Sequence, residues 1–546
     1  MTLTFERQAP EQRPFPGPGG RRPRARGRVR ARRAERRPWL AFASLAVVGL
    51  VLLPLAFLLL QAANSGWSEV WRLLWRHLTL TLLSNTLQLA VVVTAASAVI
   101  GTGAAWATER TGLPARRAFG ALVVLPVAIP DFVVASGWVS LFPSLHGLLG
   151  ASIVLTLGLY PLVYLPVAAS LRSSDPAQEE VARSLGLGPW RTFFRVTLHQ
   201  VRAALLGGCL LVALYLLAEF GAFSILRFQT FTTEIYAEIQ VGFDPAAGAA
   251  LSLVLVVLGL AVLAGEWVAS NGSRGSRAAL SSARPRPPVR ARLGRGTLPA
   301  LASMGLLVAL GVGVPVGAIV YWLVSYTRTT LPGAASLASA AWHTFAYSAA
   351  AAALASLLAL PVAILSVRRR GRLSLALERA GMLVQAVPGL VVALSLVYFS
   401  VRYARFAYQS AALLVVAYSL MFFPLALVAA RASLARVPPR LEEIGRSLGR
   451  RPVLVLLRVT VPLVLPGLLA GFFLVFLTAT TELVATLLLV PNGVQTLATQ
   501  FWAYSSDLAY GAAAPFAAVM LAVAVVPTYL LGRWFDRLPS RLARTA

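Results

Sequence analysis

Stretches of apolar residues about as long as the roughly 20 a helix needs to cross a hydrocarbon core of about 30 Å recur along this chain and decide its solvent. They fall near residues 40–61, 84–107, 117–139, 147–170, 203–225 and 247–265, then near 299–324, 344–366, 377–400, 409–430, 463–490 and 510–532. Of 546 residues, 58% are hydrophobic and 13% charged, where a soluble domain carries about a quarter charged; mean hydropathy is +0.73. A soluble enzyme is excluded. The expected fold class is all-α integral membrane, with twelve transmembrane helices.

The charge that remains is lopsided: 49 basic against 20 acidic residues, a formal +29, and every basic residue is arginine. Without lysine the chain cannot build the phosphate-binding loop G-x-x-x-x-G-K-[ST] or a Schiff base. Biased genomic composition accounts for the missing lysine. Cys209 stands alone, so no intramolecular disulfide or thiolate cluster can form. A basic excess can mark nucleic-acid binding, but here it is placed for a membrane. Residues 1–38 read as a disordered arginine-rich tail ahead of the first span. A cleaved signal is the competing reading; the apolar run after the tail is longer than a signal core, and more spans follow it.

Arginine gathers in alternate loops: the tail, the loop of Arg110, Arg116 and Arg117, the linker from Arg274 to Arg295, the run Arg368 to Arg370, and the end with Arg533, Arg537, Arg541 and Arg544. The loop after span five carries Glu234, Glu238 and Asp244 instead. The positive-inside rule makes the arginine side cytoplasmic, with both termini on it.

Two six-helix halves meet at that linker, and they are homologous. Glu179-Glu180-Val181-Ala182-Arg183-Ser184-Leu185-Gly186 aligns with Glu442-Glu443-Ile444-Gly445-Arg446-Ser447-Leu448-Gly449. The same offset pairs Pro189 with Pro452, Arg195-Val196-Thr197 with Arg458-Val459-Thr460, Gly208 with Gly471 and Glu219 with Glu482. Both copies sit between the fourth and fifth spans of a half, so the halves are parallel repeats about an axis along the membrane normal. Asp175, Pro176 and Gln178 supply an N-cap, a first-turn proline and a capping-box partner. Gly186 stops that helix and Gly188-Pro189 restarts a second, with Phe193 and Phe194 answering Leu456 and Leu457. Each half is expected to present a short helix-turn-helix on the cytoplasmic surface, shaped to dock into a protein groove. A solvated connector with no partner is the plain alternative, weakened by the duplication.

The spacing E-A-A, three residues, G, nine residues, I-x-L-P resembles the coupling motif of type I ABC importer permeases. Glu180-Val181-Ala182, Gly186 and Val196 meet it, as do Glu443-Ile444-Gly445, Gly449, Val459 and Pro462; His199 replaces the terminal proline in the first copy and Gly445 an alanine in the second. The resemblance implies ATPase-coupling positions at Glu180, Ala182, Arg183, Gly186, Glu443, Gly445, Arg446, Gly449 and Pro462. It implies as partners a cytoplasmic ABC ATPase dimer, which holds ATP and Mg, and an extracytoplasmic substrate-binding protein. Membrane lipid is the remaining partner. No cofactor is expected on this chain, no enzyme activity and no nucleic acid. From about Asn85 onward, Ala218-Glu219-Phe220-Gly221-Ala222, Thr230 to Tyr236 and Thr481 to Leu489 look like fused, double-length permeases of ferric iron importers. Thiamine, polyamine and phosphonate permeases share parts of that signature. The implied division is 1–38 tail, 39–80 first helix and external loop, 81–270 first type-1 transmembrane domain and 271–298 linker. The second half follows as 299–338 seventh helix and external loop, 339–532 second domain and 533–546 tail.

Acids at membrane depth cost about 2.5–3.5 kcal/mol on insertion scales, so Asp131, after Pro130 in span three, is expected to face the bundle and line a pathway. A hydrated helix-break residue is the alternative. Glu219 and Glu482, at equivalent outer ends of spans five and eleven, are expected to face each other across a passage, against a plain helix-end role. No metal site is expected, because His77, His146, His199 and His343 lack ligand spacing. A major-facilitator transporter is the rival class with two parallel halves, yet Glu109 to Gly112 with Arg116-Arg117 only faintly echoes its loop motif. A membrane enzyme is disfavoured for want of a nucleophile, base and metal constellation.

Overall fold

The computed structural model describes residues 38–524 apart from 65, 175–176, 272–289, 292, 326–331, 370 and 451. The arginine-rich tail at 1–37, most of the linker, the Asp175-Pro176 cap and the end from 525 lie outside the described residues. Among the described residues the chain is helices and turns, with one isolated bridge between Thr111 and Ala291.

Among the described residues, eight helices are long and apolar enough to cross a membrane: Trp39–Asn64, His77–Arg110, Gly147–Arg172, Trp190–Ala218, Pro245–Gly265, Gly294–Ser325, Ala334–Arg368 and Leu456–Thr480. Three expected continuous spans are broken instead. Arg116–Ala128 meets Asp131–Leu141 at 95°, Arg372–Ala386 meets Gly389–Tyr403 at 102°, and Ala411–Met421 meets Phe423–Arg436 at 54°. Counting each bent pair once gives eleven, and the apolar helix Tyr510–Ala524 follows. Proline explains the first two bends. A residue before proline is pushed out of the α region; Ile129 (φ −97°, ψ 124°) precedes Pro130 and Val387 (φ −99°, ψ 116°) precedes Pro388. Asp131 is therefore not inside a continuous span. It is the first residue of the helix beyond the bend.

Spans five and eleven also differ from expectation. The restart at Pro189 is no separate surface helix: Pro189–Thr192 runs through a π-turn, Phe193–Thr197, into Leu198–Ala218. The second half repeats this with Pro452–Val455, the π-turn Leu456–Thr460 and Val461–Thr480. Both helices stop before their glutamates, and short helices Gly221–Ile225 and Val484–Leu489 follow. Glycine lets these helices lie close to a neighbour. A Cβ on Gly208 would stand 2.7 Å from Val163 Cα, and one on Gly471 2.9 Å from Ala429 Cβ, the small-residue contact of membrane helix pairs.

Among the described residues, two large buried cores cross between the halves. One joins Val51 and Leu58 of the first helix, and Leu251 and Leu255 of the sixth span, to Ala355, Leu390, Leu414 and Val475. The other joins Val93, Phe132, Tyr160 and Val212 to Ala318, Trp322, Phe501 and Phe516. Across that second seam Ser136 and Ser505 hydroxyls lie 2.8 Å apart, and Phe132 meets Phe501 with ring centres 5.6 Å apart. Each half borrows outer helices from the other to close its core.

Candidate coupling surface and membrane cavity

Helices Ala177–Ser184 and Pro439–Ser447 hold the duplicated motif. Each ends in a turn that requires positive φ: Gly186 at +84° and Gly449 at +76°. Around them Gly186 N–H donates to Arg183 O at 3.0 Å and Leu187 N–H to Ala182 O at 3.1 Å; in the second copy Gly449 N–H reaches Arg446 O at 2.9 Å and Arg450 N–H reaches Gly445 O at 3.4 Å. This is the paired closure of a glycine-stopped helix end, and it assigns the backbone of Ala182, Arg183, Gly445 and Arg446 to shaping the turn. Gly445 stands where alanine was expected because Val455 fills the space: a Cβ there would meet Val455 Cγ2 at 3.1 Å. Pro462 is the second residue of Val461–Thr480 and is exposed. Its counterpart His199 follows an identical π-turn, so proline does not cause that turn. The Gln178 side chain accepts a hydrogen bond from Gln200 at 2.8 Å.

Glu180 and Glu443 face solvent. Beside them Val181, Leu185, Trp190 and Phe194 in the first copy, and Ile444, Leu448 and Leu457 in the second, leave large apolar side chains exposed. Charged and apolar groups thus share one outward face in both copies. The preceding glutamates, which sequence reasoning passed over, turn inward. Glu179 pairs with Arg110, Nε to Oε1 3.3 Å, and Glu442 with Arg368 at 2.9 Å. The signal was available: an arginine ends the second helix of both halves.

The three membrane acids line one cavity of about 310 Å³, shared among others with Tyr215, Gln385, Thr478 and Thr481 and, among the described residues, with no basic side chain in its wall. Glu219 Oε1 accepts from Ala222 N–H at 2.8 Å, and Glu482 Oε1 accepts from Ala485 N–H at 3.2 Å. Each glutamate therefore caps the short helix after it while lining the cavity. Asp131 has no acidic counterpart, since Gly389 fills the equivalent place, where a Cβ would lie 3.4 Å from Glu482 Oε1. Gly158 makes room for Asp131, because a Cβ there would lie 2.8 Å from Oδ1. Asp131 Oδ2 is buried without a hydrogen-bond partner, and the Tyr215 hydroxyl lies beside the carboxylate. A helix N-terminus favours negative charge, which offsets part of its burial.

Outside the membrane helices, burial and the neighbouring Glu238 hold the Glu234 carboxyl above its ordinary range, opposed by Arg76. The histidines stay apart: His77 begins a helix, His146 precedes one, His199 is exposed, and His343 stacks on Tyr347 with ring centres 5.8 Å apart. Among the described residues no three His, Cys, Asp or Glu side chains group to hold a metal.

Residues 97–265 and 354–541 match the family model described as binding-protein-dependent transport system inner membrane component. The chain is 37% identical to the Fe(3+)-transport system permease protein FbpB 2 of Haemophilus influenzae, over 91% of this chain and 99% of that one. It is 26% identical to the ferric transport system permease protein FbpB of Actinobacillus pleuropneumoniae, over 88% of this chain and 75% of that one. The sulfate transport system permease protein CysT of Escherichia coli is 29% identical over 38% of this chain and 82% of its own length. Two matched domains in one polypeptide, a duplicated helix-turn motif on the surface and membrane-spanning helices between them place the chain in the family of binding-protein-dependent transport permeases, in its fused, double-length form.

Proposed function

We propose that this chain is the membrane subunit of an ATP-driven importer that carries ferric iron across the cytoplasmic membrane, both halves being supplied by one polypeptide of twelve spans with cytoplasmic termini. The observation that carries the cargo reading is the cavity wall: among the described residues, three carboxylates and no basic side chain. A unit charge about 4 Å from a carboxylate gains about 4 kcal/mol at an effective dielectric of about 20. The sign reverses for an oxyanion, so sulfate is disfavoured. The relation to a Haemophilus influenzae Fe(3+) permease along nearly the whole chain supports iron among cations.

In this reading the chain has no ATPase site. A partner ATPase dimer binds ATP and Mg and grips the loops around Glu180 and Glu443, and its closure rocks the halves outward-open beneath a docked extracytoplasmic binding protein. Hydrolysis resets them. ATP and the loaded binding protein each favour one member of a pre-existing pair of states. Asp131, Glu219 and Glu482 then line the passage and lend the cargo transient charge; they do not cage it.

Proteoliposomes holding the permease with its ATPase and binding protein test this. Uptake of labelled ferric iron that requires ATP supports the reading. Uptake of sulfate in preference to iron, or uptake driven by an ion gradient without ATP, overturns it. A polyamine is the second cation the acidic wall would admit, and putrescine in place of iron as the accumulated cargo would move the assignment to it.

A further inference from the structure

Glu179 and Glu442 each precede a solvent-facing glutamate by one residue, which turns them about 100° around the helix and into the protein. Each meets the terminal arginine of a long membrane helix, Arg110 of His77–Arg110 or Arg368 of Ala334–Arg368. The first pair is shut from water and the second largely so, with side chains 2% and 8% exposed in the first and 14% and 12% in the second. A buried ion pair adds little stability over an apolar contact of the same shape, while removal of one partner strands the other's charge. What such a pair fixes is geometry.

That geometry leads to the cavity. His77–Arg110 packs against Leu198–Ala218, the helix that stops at Glu219, and Ala334–Arg368 packs against Val461–Thr480, the helix that stops before Glu482. We propose that Glu179–Arg110 and Glu442–Arg368 are positioning latches. They bind each coupling helix to a membrane helix so that a push on the loop moves the helices around the cavity, and the second latch is the tighter. The inference rests on the importer reading above.

The two latches differ in their bonds. Arg368 Nε donates to Glu442 Oε1 at 2.9 Å, a second guanidinium nitrogen reaches Val437 O at 3.1 Å, and Arg446 adds a contact to Glu442 Oε2 at 3.4 Å. Arg110 gives its short bond to Ser174 Oγ at 2.6 Å, and its Nε faces Glu179 without a hydrogen bond. The first loop has a substitute tie: Trp106 of the long helix stacks on Trp190 with ring centres 5.9 Å apart. Among the described residues the second latch has no such aromatic support, and Val455, Leu456 and Leu457 follow its coupling turn.

The test uses the full permease purified with its ATPase and reconstituted with the binding protein. It compares wild type with Glu442→Gln, Glu179→Gln and the double variant Arg368→Met with Glu442→Met, which removes the charges and leaves the site filled. Two quantities are read: ATPase retained through purification, and the ratio of binding-protein-stimulated to basal ATP hydrolysis. Retained ATPase with a stimulation ratio lowered about tenfold in Glu442→Gln and in the double variant, and about threefold in Glu179→Gln, is expected from a coupling element of ordinary strength. Stimulation equal to wild type in the double variant overturns the latch. So does lost stimulation that falls only in step with lost ATPase, which marks a loop that has merely come apart. A wild-type chain that retains no ATPase overturns the importer reading, and the latch with it.

Discussion

At Gly186 and Gly449 the backbone enters a region that costs an L-residue with a side chain roughly 1–2 kcal/mol, although nothing within 4 Å would obstruct a Cβ at either place. The cost is purely conformational. Gly186→Ala is therefore expected to loosen the turn by about 1 kcal/mol without disturbing its neighbours, seen as faster amide exchange at residues 182–187 and weaker retention of the ATPase. Glu219 and Glu482 allow a cleaner separation of roles. Glutamine keeps an oxygen able to accept from Ala222 or Ala485 N–H and removes only the charge. Glu219→Gln and Glu482→Gln should each express and purify as wild type yet lower iron uptake about tenfold, in line with loss of roughly 1.4 kcal/mol of attraction; normal uptake would confine both residues to capping. The motif glycines were legible from spacing alone because a helix stop needs little beyond its own turn. The inward glutamates were not, since only the fold shows which of two adjacent acids finds an arginine.

Among the elements, the bent pairs show local chemistry acting through one residue. Pro130 and Pro388 bend equivalent helices by 95° and 102°, and the bend delivers Asp131 to the cavity as a helix-starting residue. The proline positions were readable; the angle was not, because a kinked continuous span satisfies the same pre-proline restriction. Among the described residues the aromatic tie between Trp106 and Trp190 belongs to the first half alone. An aromatic pair of this kind contributes about 0.5–1.5 kcal/mol beyond its buried area. Trp106→Ala should raise protease sensitivity at 185–192 and leave 448–455 as in wild type, which limited proteolysis in detergent can read. Equal sensitivity in both loops would show that the stack supports neither one in particular.

The whole molecule is held by exchange. Val51 and Leu251 pack into the second half, and Trp322 and Phe516 into the first, so a half expressed by itself should be retained poorly in the membrane and co-expressed halves should recover. Orientation is open to a direct check because Cys209 is the only cysteine. In a Cys209→Ser background, Val241→Cys should react with an impermeant maleimide from outside intact cells, and Ser184→Cys only after permeabilisation. The reverse pattern would invert the topology.

Apolar run length, arginine placement and a repeated loop are one-dimensional quantities, and lipid and translocation respond to them almost directly; the sequence therefore determined the all-helical membrane class, the two related halves and the glycine-stopped turns of the repeated loop. Contacts between distant segments answer to packing. The crossing of the cores, the meeting of Asp131, Glu219 and Glu482 in one cavity, and the burial of Glu179 and Glu442 against arginines more than sixty residues away in the chain were decided only in three dimensions. There, filling space and pairing buried charge select one arrangement among many that the hydropathy pattern allows.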